Sequence, residues 1–244
     1  MPPFLHFTVA TKYDENLNIL STLSTHFGLP TIVLGRDCKT LQSWGDFNAK
    51  IRLYREALKT VVNPETIVLL ADAFDFLTLA PPEEIVTKFL AMDCDVLYNA
   101  EVFTHPDGER FKEYFELLPE NIPKRYKYLN SGGIIGRAGK LLKLYDRYDY
   151  AFERDDQRYH TTAFLDTLRR KDKTTRMKLD VDNQIFACLA GSMSDLEFDE
   201  TSGKFKMISN GSSPCLLHFN GQYGDTRPSF EKWNAKHGAK ITRW

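Results

Sequence analysis

The sequence predicts an α/β protein built on a doubly wound sheet, and three observations carry that reading. Apolar strand-like stretches alternate with helix-spaced apolar residues over the first hundred positions. One stretch, Thr66–Ala71, is apolar on both faces, as a central parallel strand covered by helices on each side must be. The chain has 244 residues, 42% of them hydrophobic, which suffices for one sizeable core.

Phe4–Ala10 is a compact apolar stretch ending at Thr11-Lys12 and reads as the first strand. Leu17, Leu20, Leu23 and Phe27 recur at helical spacing, so Asn16–Phe27 reads as an amphipathic helix. Gly28 stands where a C-terminal cap is expected, with Pro30 beyond it. Thr31–Leu34 is a second strand, and Tyr54, Leu58 and Val61 mark one face of a helix over Asn48–Val62. After the Thr66–Ala71 strand, Pro81-Pro82 opens a helix with Ile85, Phe89 and Met92 inward, and Asp95–Asn99 is a fourth strand. The second half is less regular. Tyr126–Gly136 reads as a strand interrupted by a glycine-rich turn at Asn130-Ser131-Gly132-Gly133. A helix covers roughly Asp156–Arg170, with Phe164, Leu165 and Leu168 inward; Lys204–Ser209 and Cys215–Phe219 are further strands. With no repeat, low-complexity tract or linker, one domain over 1–244 is expected, its nucleotide-binding half at about 1–100 and its sugar and acceptor half at about 101–244.

Bulk composition narrows the partners. Lys plus Arg total 32 and Asp plus Glu total 33, a net charge of −1, so the basic excess of a nucleic-acid binder is missing. No apolar run approaches the ~20 residues that span a bilayer. The N-terminal Met1-Pro2-Pro3-Phe4 lacks a basic region before its short apolar stretch, which predicts a cytoplasmic chain rather than one led by a signal peptide; a secretory protein trimmed of its leader reads the same way. Cys38, Cys94, Cys188 and Cys215 are far apart, without zinc-site spacing, and are expected to be reduced.

The sharpest local feature is Ala71-Asp72-Ala73-Phe74-Asp75. Two carboxylates sit just past the most apolar strand, and open α/β sheets bind ligands outside the carboxyl ends of their strands. A divalent cation there takes hard oxygen ligands and bridges a diphosphate; the plainer alternative is two loop aspartates, one capping a turn. Asp155-Asp156-Gln157 is a second acidic cluster, and capping a helix N-terminus is its simpler use. Asn130-Ser131-Gly132-Gly133 suits either an ordinary turn or a backbone that a sugar approaches closely. His218, followed by Phe219-Asn220-Gly221, is a lone histidine after a strand, most often structural. Lys50, near the start of a helix, faces either solvent or a phosphate.

In combination and in order, these segments resemble a known family. Thr8-Val9-Ala10-Thr11-Lys12, Asp72-Ala73-Phe74-Asp75, Ala100-Glu101, Leu129-Asn130-Ser131-Gly132-Gly133-Ile134-Ile135-Gly136, Asp155-Asp156-Gln157, Ile185-Phe186 and His218-Phe219-Asn220-Gly221 are similar to the N-terminal glycosyltransferase domain of the procollagen lysyl hydroxylases. The likeness runs from Thr8 to Gly221. It implies a GT-A fold, a Rossmann-like mixed sheet flanked by helices. It also implies Mn²⁺, a UDP-sugar donor, and retaining transfer of glucose onto hydroxylysine-linked galactose of a collagen-like protein. The hydroxylase domains have no counterpart, so iron and 2-oxoglutarate are not expected.

Carried over by the resemblance, Asp72, Asp75 and His218 hold the metal, Phe74 stacks on uracil and the backbone of Thr8, Val9 and Thr11 reads its edge. Lys50, Asn130, Gly132, Gly133, Asn220 and Gly221 line the donor pocket, and Asp155 and Asp156 form the catalytic acidic pair. The chain departs from the family pattern in three places. Phe74 replaces a tyrosine, so stacking survives without a hydroxyl contact. Thr104-His105-Pro106 replaces Cys-Trp-Pro. Phe219 replaces a glycine and Gln222 a proline. The rival readings are UDP-galactose transfer to hydroxylysine, a nucleotide-sugar-binding module with weak donor hydrolysis, and a nucleotidyltransferase. The retained acidic residues argue against a module, and the poor glycine loop at Val9–Lys12 against a nucleotidyltransferase.

Overall fold

The computed structural model describes residues 2–12, 15–36, 48–120, 122, 125–147, 155–171, 174–220 and 235. In chain order the elements are β1 (Phe4–Val9), α1 (Glu15–His26), β2 (Thr31–Leu34), α2 (Asn48–Lys59), β3 (Ile67–Asp72), β4 (Phe76–Thr78), α3 (Pro82–Ala91) and β5 (Val96–Glu101). They continue with α4 (Phe111–Leu117), β6 (Tyr128–Arg137), α5 (Ala138–Arg147), α6 (Asp156–Arg169), β7 (Met177–Leu179), β8 (Phe186–Cys188), β9 (Leu196–Asp199), β10 (Lys204–Met207) and β11 (Leu216–His218).

The main sheet has the order β2-β1-β3-β6-β5-β7. It is mixed rather than parallel throughout: β3 runs parallel to β1 but antiparallel to β6, which is also antiparallel to β5. The carboxyl ends of β1, β3 and β5 and the amino end of β6 therefore share one edge. That edge collects Val9, Asp72, Glu101 and Asn130.

The two-faced apolar character of β3 has the expected cause. Val68 and Leu70 pack on one side with Ile51, Tyr54 and Leu58 of α2, Leu141 and Leu144 of α5 and Phe164 of α6. Ile67, Leu69 and Ala71 pack on the other with Ile85, Val86 and Phe89 of α3, together with Phe76, Phe186 and Leu216. The last three belong to a second, three-stranded sheet of order β4-β11-β8. Helices cover one face, and α3 plus a small sheet cover the other.

The glycine-rich run is a strand and not a turn. Ser131, Gly132 and Gly133 lie inside β6, and pairing with β5 jumps from Tyr98↔Ile134 to Asn99↔Asn130, so these residues bulge away from β5 while Gly133 stays paired with Ala71 of β3. Helix α2 stops at Lys59, short of Val62, which is 97% exposed. Met92 is the C-cap residue of α3 and only partly buried, rather than a core residue. Cys94, Cys188 and Cys215 are buried free thiols; Cys38 lies outside the described residues. Among the described residues no helix is long and apolar enough to cross a membrane.

Candidate functional site

The shared strand edge brings distant residues together from both faces of the main sheet. From one side comes the small sheet. Its β4 and β11 pair antiparallel with His218 opposite Phe76, their rings stacked at 4.2 Å, and the Phe219 N–H donates to the Asp75 carbonyl at 2.8 Å. This pairing sets His218 Nε2 3.2 Å from Asp75 Oδ2 and 3.9 Å from Asp72 Oδ2. From the other side come α2 and α6, whose first turns carry Lys50 and Asp156. Lys50 Nζ lies 2.5 Å from Asp72 Oδ1 and 2.7 Å from Asp156 Oδ2.

Asp72, Asp75 and His218 each offer one ligand atom within 4.8 Å of the other two, and two further observations fit a cation there. Asp75 Oδ1 is buried with no hydrogen-bond partner, a lone pair left to a positive charge. A Cβ added at Gly132 would lie 2.7 Å from Asp72 Oδ2 and overlap the His218 ring, so only glycine lets the β6 backbone reach the cluster. A Cβ at Gly133 would press on Phe186 and Phe76 at 3.0 Å. The bulge thus seats backbone against the acidic cluster.

His218 Nδ1 is 3.3 Å from Asn99 Nδ2 and 3.6 Å from Cys188 Sγ, and Asn99 Oδ1 is buried without a partner. Turned over, the Asn99 amide accepts from Nδ1–H and leaves the Nε2 lone pair facing the carboxylates, the usual support for a metal-binding imidazole.

Electrostatics at the cluster follow from burial opposed by neighbours. Burial alone would lower the His218 pKa, but Asp75, Asp72 and Glu101 raise it. Burial, reinforced by Asp75 and Asp156, raises Asp72 despite Lys50. Burial would raise Asp156 and Asp75, yet Lys50 draws the first down and His218 the second. Lys50 itself is held charged: burial works against it, and Asp156 and Asp72 outweigh burial. The lysine is therefore not a solvated helix residue.

The two aspartates of the second acidic cluster part company. Asp155 is the N-cap of α6, its Oδ1 accepting from the Arg158 N–H at 3.0 Å. Asp156 is buried in the site and also accepts from Ser131 Oγ at 3.0 Å. The next residue, Gln157, pins the bulge, with Oε1 accepting from the Ser131 N–H at 2.7 Å and Nε2 donating to the Leu129 carbonyl at 2.5 Å.

The other candidates fall as follows. Val9 pairs with Leu34 of β2 and Asp72 of β3, and Thr8 is fully buried with its hydroxyl donating to the Ala71 carbonyl. Thr11 is exposed just beyond. Phe74 packs beside Ala10, Leu17 and Ala73, with Lys12 Nζ 5.7 Å from its ring centroid. Asn130 Nδ2 donates to Glu101 Oε1 at 3.3 Å, and Asn220 Nδ2 to Glu101 Oε2 at 3.0 Å. Gly221 lies outside the described residues.

Glu101, quoted in the resembling segment Ala100-Glu101, is a site residue to which sequence reasoning gave no role. It ends β5, is 4% exposed, and burial pushes its carboxyl up to about 7 against the hydrogen bonds from Asn130 and Asn220. Its signal was available: like Asp72, it is a carboxylate at the carboxyl end of an apolar strand.

Comparison with known proteins gives the family and the fold. The model of the PLOD GT domain family matches residues 2–233. The chain is 31% identical to a Drosophila melanogaster procollagen-lysine,2-oxoglutarate 5-dioxygenase over 225 residues, 88% of this chain and 30% of that protein. It is 31% identical over 229 residues, 89% of this chain and 29% of the other, to the rat multifunctional procollagen lysine hydroxylase and glycosyltransferase LH3. The chain thus spans about 30% of the length of these relatives. In fold it is similar to a glycosyltransferase involved in the glycosylation of the major capsid of PBCV-1, with a TM-score of 0.55 at 9% identity, covering 96% of this chain and 98% of the other. The mixed sheet flanked by helices, with its acidic cluster at the carboxyl edge, is a GT-A fold, and the chain belongs to the PLOD GT domain family of glycosyltransferases.

Proposed function

We propose that the chain transfers a hexose, glucose in the first instance, from a UDP-sugar to an acceptor sugar on a protein, with Mn²⁺ at Asp72, Asp75 and His218. The favoured acceptor is hydroxylysine-linked galactose on a collagen-like protein, and the transfer is retaining. The observation that carries this reading is the convergence of those three ligands beside Val9 and Phe74 at the strand edge. We treat 1–244 as one domain: the half up to about residue 100 supplies Val9, Lys50, Asp72, Phe74 and Asp75, and the rest supplies Glu101, Asn130, Asp156, His218 and Asn220.

When bound, the cation supplies positive charge that neutralises the diphosphate and stabilises it as it leaves. Phe74 stacks on the uracil, and the backbone from Val9 to Thr11 meets its edge. Lys50 is long enough to exchange Asp72 for a phosphate oxygen while keeping Asp156. Asp156 keeps a negative charge near the anomeric carbon, where positive charge develops in an oxocarbenium-like transition state. Lys50 and Ser131 hold Asp156 in place through Oδ2, and we assign it electrostatic stabilisation, with the acceptor hydroxyl attacking from the face the UDP leaves. Asp155 acts through the α6 N-terminus it caps. Glu101, Asn130 and the partly buried Asn220 form one hydrogen-bonded group that orients sugar hydroxyls.

A cation held partly by protein and partly by diphosphate makes the two ligands cooperative. In a thermal-shift titration, Mn²⁺ and UDP together are expected to raise the melting temperature by more than the sum of their separate effects. Purely additive shifts, or none, would overturn the shared site.

A further inference from the structure

Three of the exposed large apolar side chains among the described residues are phenylalanines in the segment that follows Glu101: Phe103, Phe111 and Phe115. Two of them are engaged with neighbours. The Phe111 and Phe115 rings meet edge to face at 6.3 Å, and Lys127 Nζ lies 3.3 Å from the Phe115 centroid. Phe103 is held differently. It is 59% exposed, yet one side of its ring rests on Gly191, where an added Cβ would lie 2.8 Å from Cζ and overlap Cε2. Gly191 also has a φ of +67°, so both the backbone conformation and the close approach require glycine. The preceding Ala190 N–H donates to Asn220 Oδ1 at 3.1 Å, and Asn220 in turn donates to Glu101. Contacts therefore close a loop from Glu101 through Phe103, Gly191 and Ala190 to Asn220, and this loop ties an exposed aromatic ring to the residues that hold Glu101.

A largely exposed ring two residues beyond the Glu101 of a hydrogen-bonded Glu–Asn group, braced at its Cε2–Cζ side on Gly191, suits a hexose. The carbon-bound hydrogens of the sugar meet the electron-rich ring face, and the hydroxyls turn towards the carboxylate and amides. We propose that Phe103 is an acceptor-binding residue that stacks on the sugar of the acceptor; this rests on the transfer reading above. With UDP-glucose as donor and galactosyl-hydroxylysine as the acceptor probe, Phe103→Ala is expected to raise the acceptor KM roughly five- to tenfold. The loss should appear in KM rather than kcat, with UDP affinity in Mn²⁺ unchanged, and Phe103→Tyr should restore the acceptor KM. An unchanged acceptor KM in Phe103→Ala, or a parallel fall in UDP affinity, overturns the assignment while leaving the transfer reading standing. A wild-type protein that releases no UDP from UDP-glucose overturns the reading and the acceptor site with it.

Discussion

Asp156→Asn is expected to cut sugar transfer roughly 100- to 1000-fold, the usual loss when one preorganised electrostatic stabiliser is removed, while UDP affinity in Mn²⁺ stays within about threefold. The change preserves shape. An asparagine oxygen still accepts from Lys50 or Ser131, and Lys50 keeps Asp72 as an ionic partner, so the buried lysine is not stranded. What disappears is the negative charge that matters most once the anomeric carbon becomes positive. Asp155→Asn is the companion, since asparagine caps a helix as well as aspartate and the Arg158 N–H keeps its acceptor. That variant should retain most of its turnover, and Asp155→Ala should cost about 1 kcal/mol of stability. Steady-state kinetics, UDP calorimetry and melting on the same variants decide the matter. A steep fall in Asp155→Asn with full turnover in Asp156→Asn would reverse the two roles.

The second large effect is at the cation site. Asp72→Ala is expected to abolish the Mn²⁺-dependent part of UDP binding and to lower transfer more than 100-fold, because the diphosphate loses the charge that both holds it and stabilises its departure. Folding should not suffer with it. Burial and the nearby Asp75 and Asp156 push the Asp72 carboxyl up. A carboxyl whose folded pKa is raised lends stability at acid pH that is lost as pH rises through the folded value. At neutral pH the metal-free variant should therefore melt no lower than wild type, apart from the loss of one Lys50 contact. Loss of UDP binding together with a large drop in melting temperature would mean that Asp72 supports structure instead.

Much of the frame was legible along the chain because its causes are local. Alternating apolar stretches gave the strand and helix order up to β5 except for the short β4, and the two-faced Thr66–Ala71 run correctly marked a strand covered on both sides. The run Asn130–Gly133 misled for a physical reason. Adjacent glycines ordinarily signal a turn, whereas here they thin a strand so that Asp72, His218, Phe76 and Phe186 can approach it. That requirement lies in residues far away in sequence. The three-residue strands β4 and β8 are too short to show a period, so of the sheet that delivers His218 to Asp75 only β11 was legible, as the strand expected over Cys215–Phe219. Helix α5 did leave one, in Ala138, Leu141, Leu144 and Tyr145, all buried, and was overlooked. The Asp155-Asp156 pair posed capping against chemistry, and three-dimensional placement divides them, one aspartate at the helix cap and the other in the site.

In the proposed function the Asp72–Asp75–His218 cluster loads a cation onto a UDP-sugar and the sugar then leaves. UDP release from a panel of UDP-hexoses, followed with galactosyl-hydroxylysine present and absent, tests it most directly when each assay is run with Mn²⁺ and again with a chelator. Release is expected to depend on Mn²⁺, to be largest with UDP-glucose and to rise when the acceptor is added. Equal release in chelator, or no release from any UDP-hexose in Mn²⁺, would contradict it.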